Sequence, residues 1–193
     1  GLEEGYATRI VPMGHAILDS MLQEAAAAAP PTSRFDMTQP FSLMVGTLEP
    51  RKGHADVIAA FSELWLQGSQ HRLVLVGRMG WKIEMLRDAI RNHPEHGDKL
   101  LWFDDVGDLE LEQIYQACEG VIVASHAEGF GLPLIEALGH FKPVLARDLP
   151  IFRVHQKRGV RYFPATGDAV TLGDYIGDWV TDIRAGRAAV TAP

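Results

Sequence analysis

Two carboxylates, Glu128 and Glu136, stand with seven residues between them in the run Ala127-Glu128-Gly129-Phe130-Gly131-Leu132-Pro133-Leu134-Ile135-Glu136-Ala137. Two adjacent cations, Arg51 and Lys52, stand in a second run, Leu48-Glu49-Pro50-Arg51-Lys52-Gly53. Carboxylates can grip hydroxyl groups or steady a developing positive centre. An Arg–Lys pair can neutralise a diphosphate, the Arg through its planar fork and the Lys as a compact charge. Each group also has a plainer reading. Glu128 could be a first-turn helix acid, Glu136 a solvated helix residue, and 51–52 a solvated turn.

The elements around them favour the chemical reading. Phe41 to Gly46, Arg72 to Gly77, Leu100 to Phe103, Val121 to Ala124 and Pro143 to Ala146 are short apolar runs expected to be strands. Helical patterns alternate with them over 55–66, 82–91, 109–118, 132–139 and 168–184. Continuous apolar strands between amphipathic helices predict an α/β domain, a Rossmann-like doubly wound parallel sheet. In such a sheet ligands bind beyond the carboxyl ends of the strands, where the 48–53 and 125–131 loops must both lie. Strand, Gly-rich turn and helix also bring backbone N–H groups and a helix dipole toward an anion, and Gly129 and Gly131 are expected to permit positive φ. Residues 1–40 read as a leading segment with a helix ending near Ala25 to Pro31, and 41–193 as the ligand-binding domain.

The chain has 193 residues, 47% hydrophobic and 22% charged, with a net charge of −7. That suits a globular domain and argues against general nucleic-acid binding. The single cysteine, Cys118, excludes an intrachain disulfide framework, points to a reducing compartment, and reads as a small core residue. No apolar run reaches the ~18–20 residues of a membrane span. No His/Cys/Asp cluster has zinc spacing, so no metal site is expected. Asp108 reads as a helix N-cap, Trp81 as a packing residue and His126 as a turn residue.

The Glu-x7-Glu run with its internal Gly-Phe-Gly-Leu-Pro resembles the donor-site motif of retaining glycosyltransferases of the family 4 type, which have the two-domain GT-B fold. The run Val45 to Gly53 is similar to that family's phosphate loop. Its Glu-Pro-Arg-Lys form, with Gly77-Arg78-Met79-Gly80-Trp81, looks most like bacterial O-antigen mannosyltransferases that use GDP-mannose. The similarity runs from about Phe41 to Phe163 and matches only the C-terminal, donor-binding half. It implies that Glu128 meets the donor sugar and Glu136 the nucleotide ribose. Gly46, Gly129, Phe130, Gly131 and Leu132 would line the donor, Gly77 would allow close backbone approach, and Val106 would receive the base. Arg51, Lys52 and the 129–132 amides would stabilise the departing diphosphate.

The implied activity is sugar transfer with retention to a glycan or lipid-linked glycan, as in lipopolysaccharide biosynthesis, without a cofactor. The acceptor would bind through an N-terminal domain not in this chain, which alone would be inactive in transfer. Arg9 to Gly14 looks like the segment after the interdomain linker. A cytoplasmic location, with peripheral association at the inner membrane face through other parts, is expected. After Arg153 the family usually continues with Glu and a glycine-rich turn, whereas Val154-His155 follow here. Three alternatives stay open: a GT-B epimerase or phosphorylase, a non-catalytic interaction module, and an NAD-binding domain. The last lacks a Gly-x-Gly-x-x-Gly at its first helix.

Overall fold

The computed structural model describes residues 17–30 and 34–193, so Arg9 to Gly14 and part of the turn before the first strand lie outside the described residues. A helix, α1 (17–28), precedes the sheet. Then come β1 (Phe41–Val45), α2 (His54–Leu66), β2 (Arg72–Val76), α3 (Glu84–Arg91), β3 (Leu100–Phe103) and α4 (Asp108–Ala117). β4 (Gly120–Val123), α5 (Leu132–Gly139), β5 (Val144–Arg147), α6 (Pro150–Arg153), β6 (Arg161–Phe163) and α7 (Ala169–Arg184) complete the order. All the pairings are parallel, in the order β3-β2-β1-β4-β5-β6. This is the doubly wound arrangement expected from the pattern, reversing direction between β1 and β4.

The strands are apolar throughout because the sheet is covered on both sides, with successive side chains serving opposite layers. Leu73 and Leu75 of β2, Ile122 of β4 and Leu145 of β5 pack with Phe61, Trp65, Ile90, Ile176 and Trp179 from α2, α3 and α7. Val74, Val76, Val121, Val123 and Val144 pack with Ile114, Tyr115, Leu134, Leu138 and Phe152 from α4, α5 and α6. Cys118 joins this second layer, and burial pushes its thiol up to about 12, as suits a core residue. Outside it, α1 lies on α4, where the Gln113 side-chain amide donates to the Pro30 carbonyl at 2.8 Å.

One difference in register shapes the site. β1 and β2 pair over five residues, from Phe41↔Arg72 to Val45↔Val76, but β1 and β4 pair only at Ser42↔Gly120 and Leu43↔Val121. Beyond Leu43 the two strands part, and a crevice opens between their carboxyl ends.

Several local expectations need correction. Gly107 caps α4, and Asp108 is its first residue, where a negative charge still favours the helix dipole. α3 starts at Glu84, not Lys82, because Lys82 is in the left-handed region with φ 56°. That turn leaves Trp81 77% exposed, with the Lys82 ammonium 4.5 Å from its ring centroid, so Trp81 is no packing residue. The shortest α-helix, α6, and the shortest strand, β6, went unpredicted.

Candidate functional site

The loop after β1 begins at Gly46, whose N–H donates to the Val76 carbonyl at 2.9 Å, and closes with a turn of 3-10 helix over Pro50–Lys52. Gly53 then adopts φ 78° and starts α2. A Cβ at Gly53 would fall 2.1 Å from the Ala124 carbonyl oxygen, so only glycine lets this loop press against the end of β4. The His126 N–H donates to the Arg51 carbonyl at 2.8 Å, tying the two loops together.

That contact places the charged groups. Lys52 Nζ donates to Glu128 Oε1 at 2.6 Å, and Ser125 Oγ donates to the same oxygen at 2.8 Å. The side chains are 17% and 9% exposed for Lys52 and Glu128. Burial works against the Glu128 charge, but hydrogen bonds from Lys52 and Ser125, with the Lys52 and Arg51 charges, outweigh it and hold the carboxyl below its ordinary value. Glu128 is therefore an ionised acid with one oxygen committed to the protein. Arg51 is more open and bonds Glu49 at 3.0 Å.

The crevice between β1 and β4 has a volume of about 250 Å³. Gly46, Arg51, Lys52 and Glu136 all line it, joined by Thr47, His54, Tyr115 and Ser125. Burial and the Lys52 charge push the His54 imidazole down to about 4, so it is neutral, and its Nδ1 is buried without a hydrogen-bond partner. Burial, with the Glu136 charge, pushes the Tyr115 phenol upward and keeps it protonated. A lining with two cations, Arg51 and Lys52, two carboxylates, Glu49 and Glu136, and the neutral His54 and Tyr115 suits an anionic ligand that also carries hydroxyl groups.

The other expected residues fall less uniformly. Gly131 has φ 68° and caps α5 as expected, whereas Gly129 does not have positive φ, so that part of the expectation fails. Gly129, Phe130 and Leu132 are exposed and do not line the crevice. Glu128 stays outside its lining too, reaching it only through its bonds to Lys52 and Ser125, which do line it. Gly77 acts from behind, since a Cβ there would lie 1.8 Å from the Gly46 carbonyl oxygen. Val106 packs against the second core layer and also stays outside the crevice lining.

Sequence reading missed Ser125, Thr47, His54 and Tyr115. It also missed the cluster behind the site. His126, read as a turn residue, has its Nε2 3.0 Å from Asp56 Oδ2, and Arg147 donates to that same oxygen at 2.8 Å. Among the described residues no group of three or more His, Cys, Asp or Glu side chains could hold a metal ion, and no helix is long and apolar enough to cross a membrane.

Known proteins share this framework. The chain is 41% identical over 141 residues to the serotype-specific mannosyltransferase WbdA of Escherichia coli, covering 73% of this chain and 17% of the relative. It is 28% identical to O-antigen chain mannosyltransferase B of the same species, over 68% of this chain and 35% of the relative. The chain thus spans about a sixth and a third of the lengths of these two relatives. Among solved structures, the C-terminal domain of the glycosyl transferase group 1 family protein LpcC from Francisella tularensis superposes with a TM-score of 0.65 at 17% identity. That match covers 84% of this chain and 90% of that one. HepE of Anabaena, solved with UDP-glucose, gives 0.64 at 21% identity, over 79% and 42%. These likenesses identify the fold as the C-terminal half of a GT-B enzyme. Residues 27–188 match the sequence profile described as Glycosyl transferases group 1, and the chain belongs to that family.

Proposed function

We propose that this chain is the donor-binding domain of a retaining mannosyltransferase that takes GDP-mannose and extends a glycan, as in O-antigen or lipopolysaccharide biosynthesis. One observation supports it most. At the carboxyl ends of β1 and β4, Arg51, Lys52 and Glu136 line one crevice, and Lys52 is bonded to Glu128. The similarity to mannosyltransferases supports the choice of sugar.

In this reading Arg51 and Lys52 meet the diphosphate and stabilise the charge that gathers on it as the glycosidic bond breaks. The N-terminal amides of α5 add to that field. Glu128 orients the sugar with its remaining acceptor capacity, and its charge favours an oxocarbenium-like centre without requiring it to be a nucleophile. Glu136 takes the ribose hydroxyls. Gly129, Phe130, Gly131 and Leu132 contact the donor, and Val106 meets the base. The acceptor, a glycan or lipid-linked glycan, binds a part of the protein outside these residues, at the cytoplasmic face of the membrane. The chain alone binds donor without transferring sugar, and no cofactor takes part.

Isothermal calorimetry with GDP, UDP and NAD tests this, repeated on Glu136→Ala and on Arg51→Ala/Lys52→Ala. GDP binding abolished in both variants is the expected result. Preference for UDP would move the donor to a UDP-sugar. Preference for NAD, or GDP binding untouched by both variants, would overturn the reading.

A further inference from the structure

Arg147, the last residue of β5, is 4% exposed, yet it carries a full charge into the layer between the sheet and α2. A buried cation is costly unless its donors are satisfied, and here each nitrogen has a partner. Nε donates to the Ala124 carbonyl at 2.9 Å, Nη1 to the Ala165 carbonyl at 2.7 Å, and Nη2 to Asp56 at 2.8 Å. Its guanidinium lies 5.0 Å from the centroid of the Phe163 ring. One side chain therefore fastens the end of β4, the segment after β6, and the first turn of α2.

These anchors all lead toward the same place. Ala124 directly precedes Ser125, the residue that holds Glu128. Asp56 lies in the first turn of α2, just after the loop that carries Lys52. His126, bonded to Asp56 through its ring, offers its own N–H to Arg51. His126 Nε2 lies between Asp56 Oδ2, at 3.0 Å, and Arg147 Nη2, at 3.4 Å, so it belongs to the same cluster. The Lys52 and Glu128 arms are thus held from behind by one connected set of polar contacts.

We infer that Arg147, acting through Asp56 and His126, is a positioning residue that sets the spacing of the Lys52–Glu128 pair. Stability alone does not call for an arginine here, since apolar replacements of buried ion pairs are often neutral or stabilising. What an apolar side chain cannot do is fix three segments to one plane with directional bonds. The effect on donor binding rests on the function proposed above. The placement of Glu128 does not, and it can be read without ligand.

The test compares Arg147→Met, Arg147→Lys and Asp56→Asn in this chain, by melting, by carboxyl carbon NMR of Glu128 and by GDP calorimetry. Arg147→Met is expected to remain folded while the Glu128 resonance moves and its acid titration shifts upward toward the ordinary value, as contact with Lys52 and Ser125 loosens. GDP affinity falls about tenfold with it, and Arg147→Lys, which reaches fewer acceptors, gives an intermediate shift. In Glu128→Gln, adding Arg147→Met costs less affinity than it does alone. Should Arg147→Met fail to fold, Asp56→Asn, a half-exposed replacement, must still shift the Glu128 resonance in the same direction. A folded Arg147→Met or Asp56→Asn with a wild-type Glu128 resonance and titration overturns the inference. Loss of GDP binding by the unaltered chain would instead overturn the proposed function.

Discussion

At the carboxyl end of the sheet, Ser125 and Lys52 line a crevice between strands that have parted, and both bond Glu128. At the amino end a comparable set meets where the strands are still paired. Ser42 Oγ lies 2.8 Å from His71 Nε2, Glu119 Oε2 lies 3.8 Å from His71 Nδ1, and Arg184 stands 3.6 Å from Glu119. The second set lines up like a nucleophile, a base and an orienting acid. It cannot act as one, because Ser42 is fully buried, and 3.8 Å is too long for a hydrogen bond. The hollow of about 310 Å³ beside it is lined by His71 and Arg184 but not by Ser42. Similar residue types thus border an open crevice at one end and close the core at the other, and the register of β1 against β4 decides which.

The largest expected effect comes from pH, since each end holds a buried histidine. Burial pushes His54 and His71 from 6.5 to about 4, helped by the Lys52 charge for His54 and by Arg184 and Arg72 for His71. Both are neutral when folded, while the unfolded chain binds protons below 6.5. Their contribution is complete above pH 6.5 and is lost as pH falls toward 4. The difference, 6.5 − 4, or about 2.5 units, corresponds to about 3 kcal/mol for each histidine. Denaturant melts between pH 7 and 4 should show this loss, and His71→Phe should remove roughly half of it while leaving GDP affinity unchanged. A His71→Phe variant that weakened GDP binding would break the separation of the two ends.

Lys52→Ala should do the opposite. Losing a charge-assisted contact to the diphosphate is worth about 2–3 kcal/mol, so GDP affinity should fall by on the order of 100-fold in calorimetry. A smaller cost, about 1–2 kcal/mol, falls on stability because Glu128 loses its partner. Gly77→Ala comes next. Its new Cβ must displace the Gly46 carbonyl, so both stability and GDP affinity should drop, by about 1–3 kcal/mol in melts. Gly129→Ala marks the small end. Nothing lies within 4 Å of its would-be Cβ and its φ is ordinary, so melts should change by no more than about 0.5 kcal/mol.

Much of the sheet was legible because a parallel strand buried on both sides is apolar at every position, as Arg72–Val76 apart from its first residue shows. The three-residue β6 and four-residue α6 were too short to carry a period. Reading β5 as ending at Ala146 hid Arg147, since a charged residue closing an apolar run looks like the start of a loop. Arg51, Lys52, Glu128 and Glu136 were named from type and spacing. That Lys52 bonds Glu128 across 76 positions could not be, since it depends on Gly53 pressing against Ala124. Trp81 was misread for a similar reason. Its exposure follows from a left-handed Lys82, and lysine gives no sequence signal for that conformation.

The most direct test is an amide NMR titration of this chain with GDP. The largest shifts should fall over residues 46–53 and 125–136, with Ser69, Gln70, His71 and Arg184 unmoved. Shifts centred on the amino end of the sheet, or none in a chain that remains folded, would contradict a nucleotide site in the β1–β4 crevice.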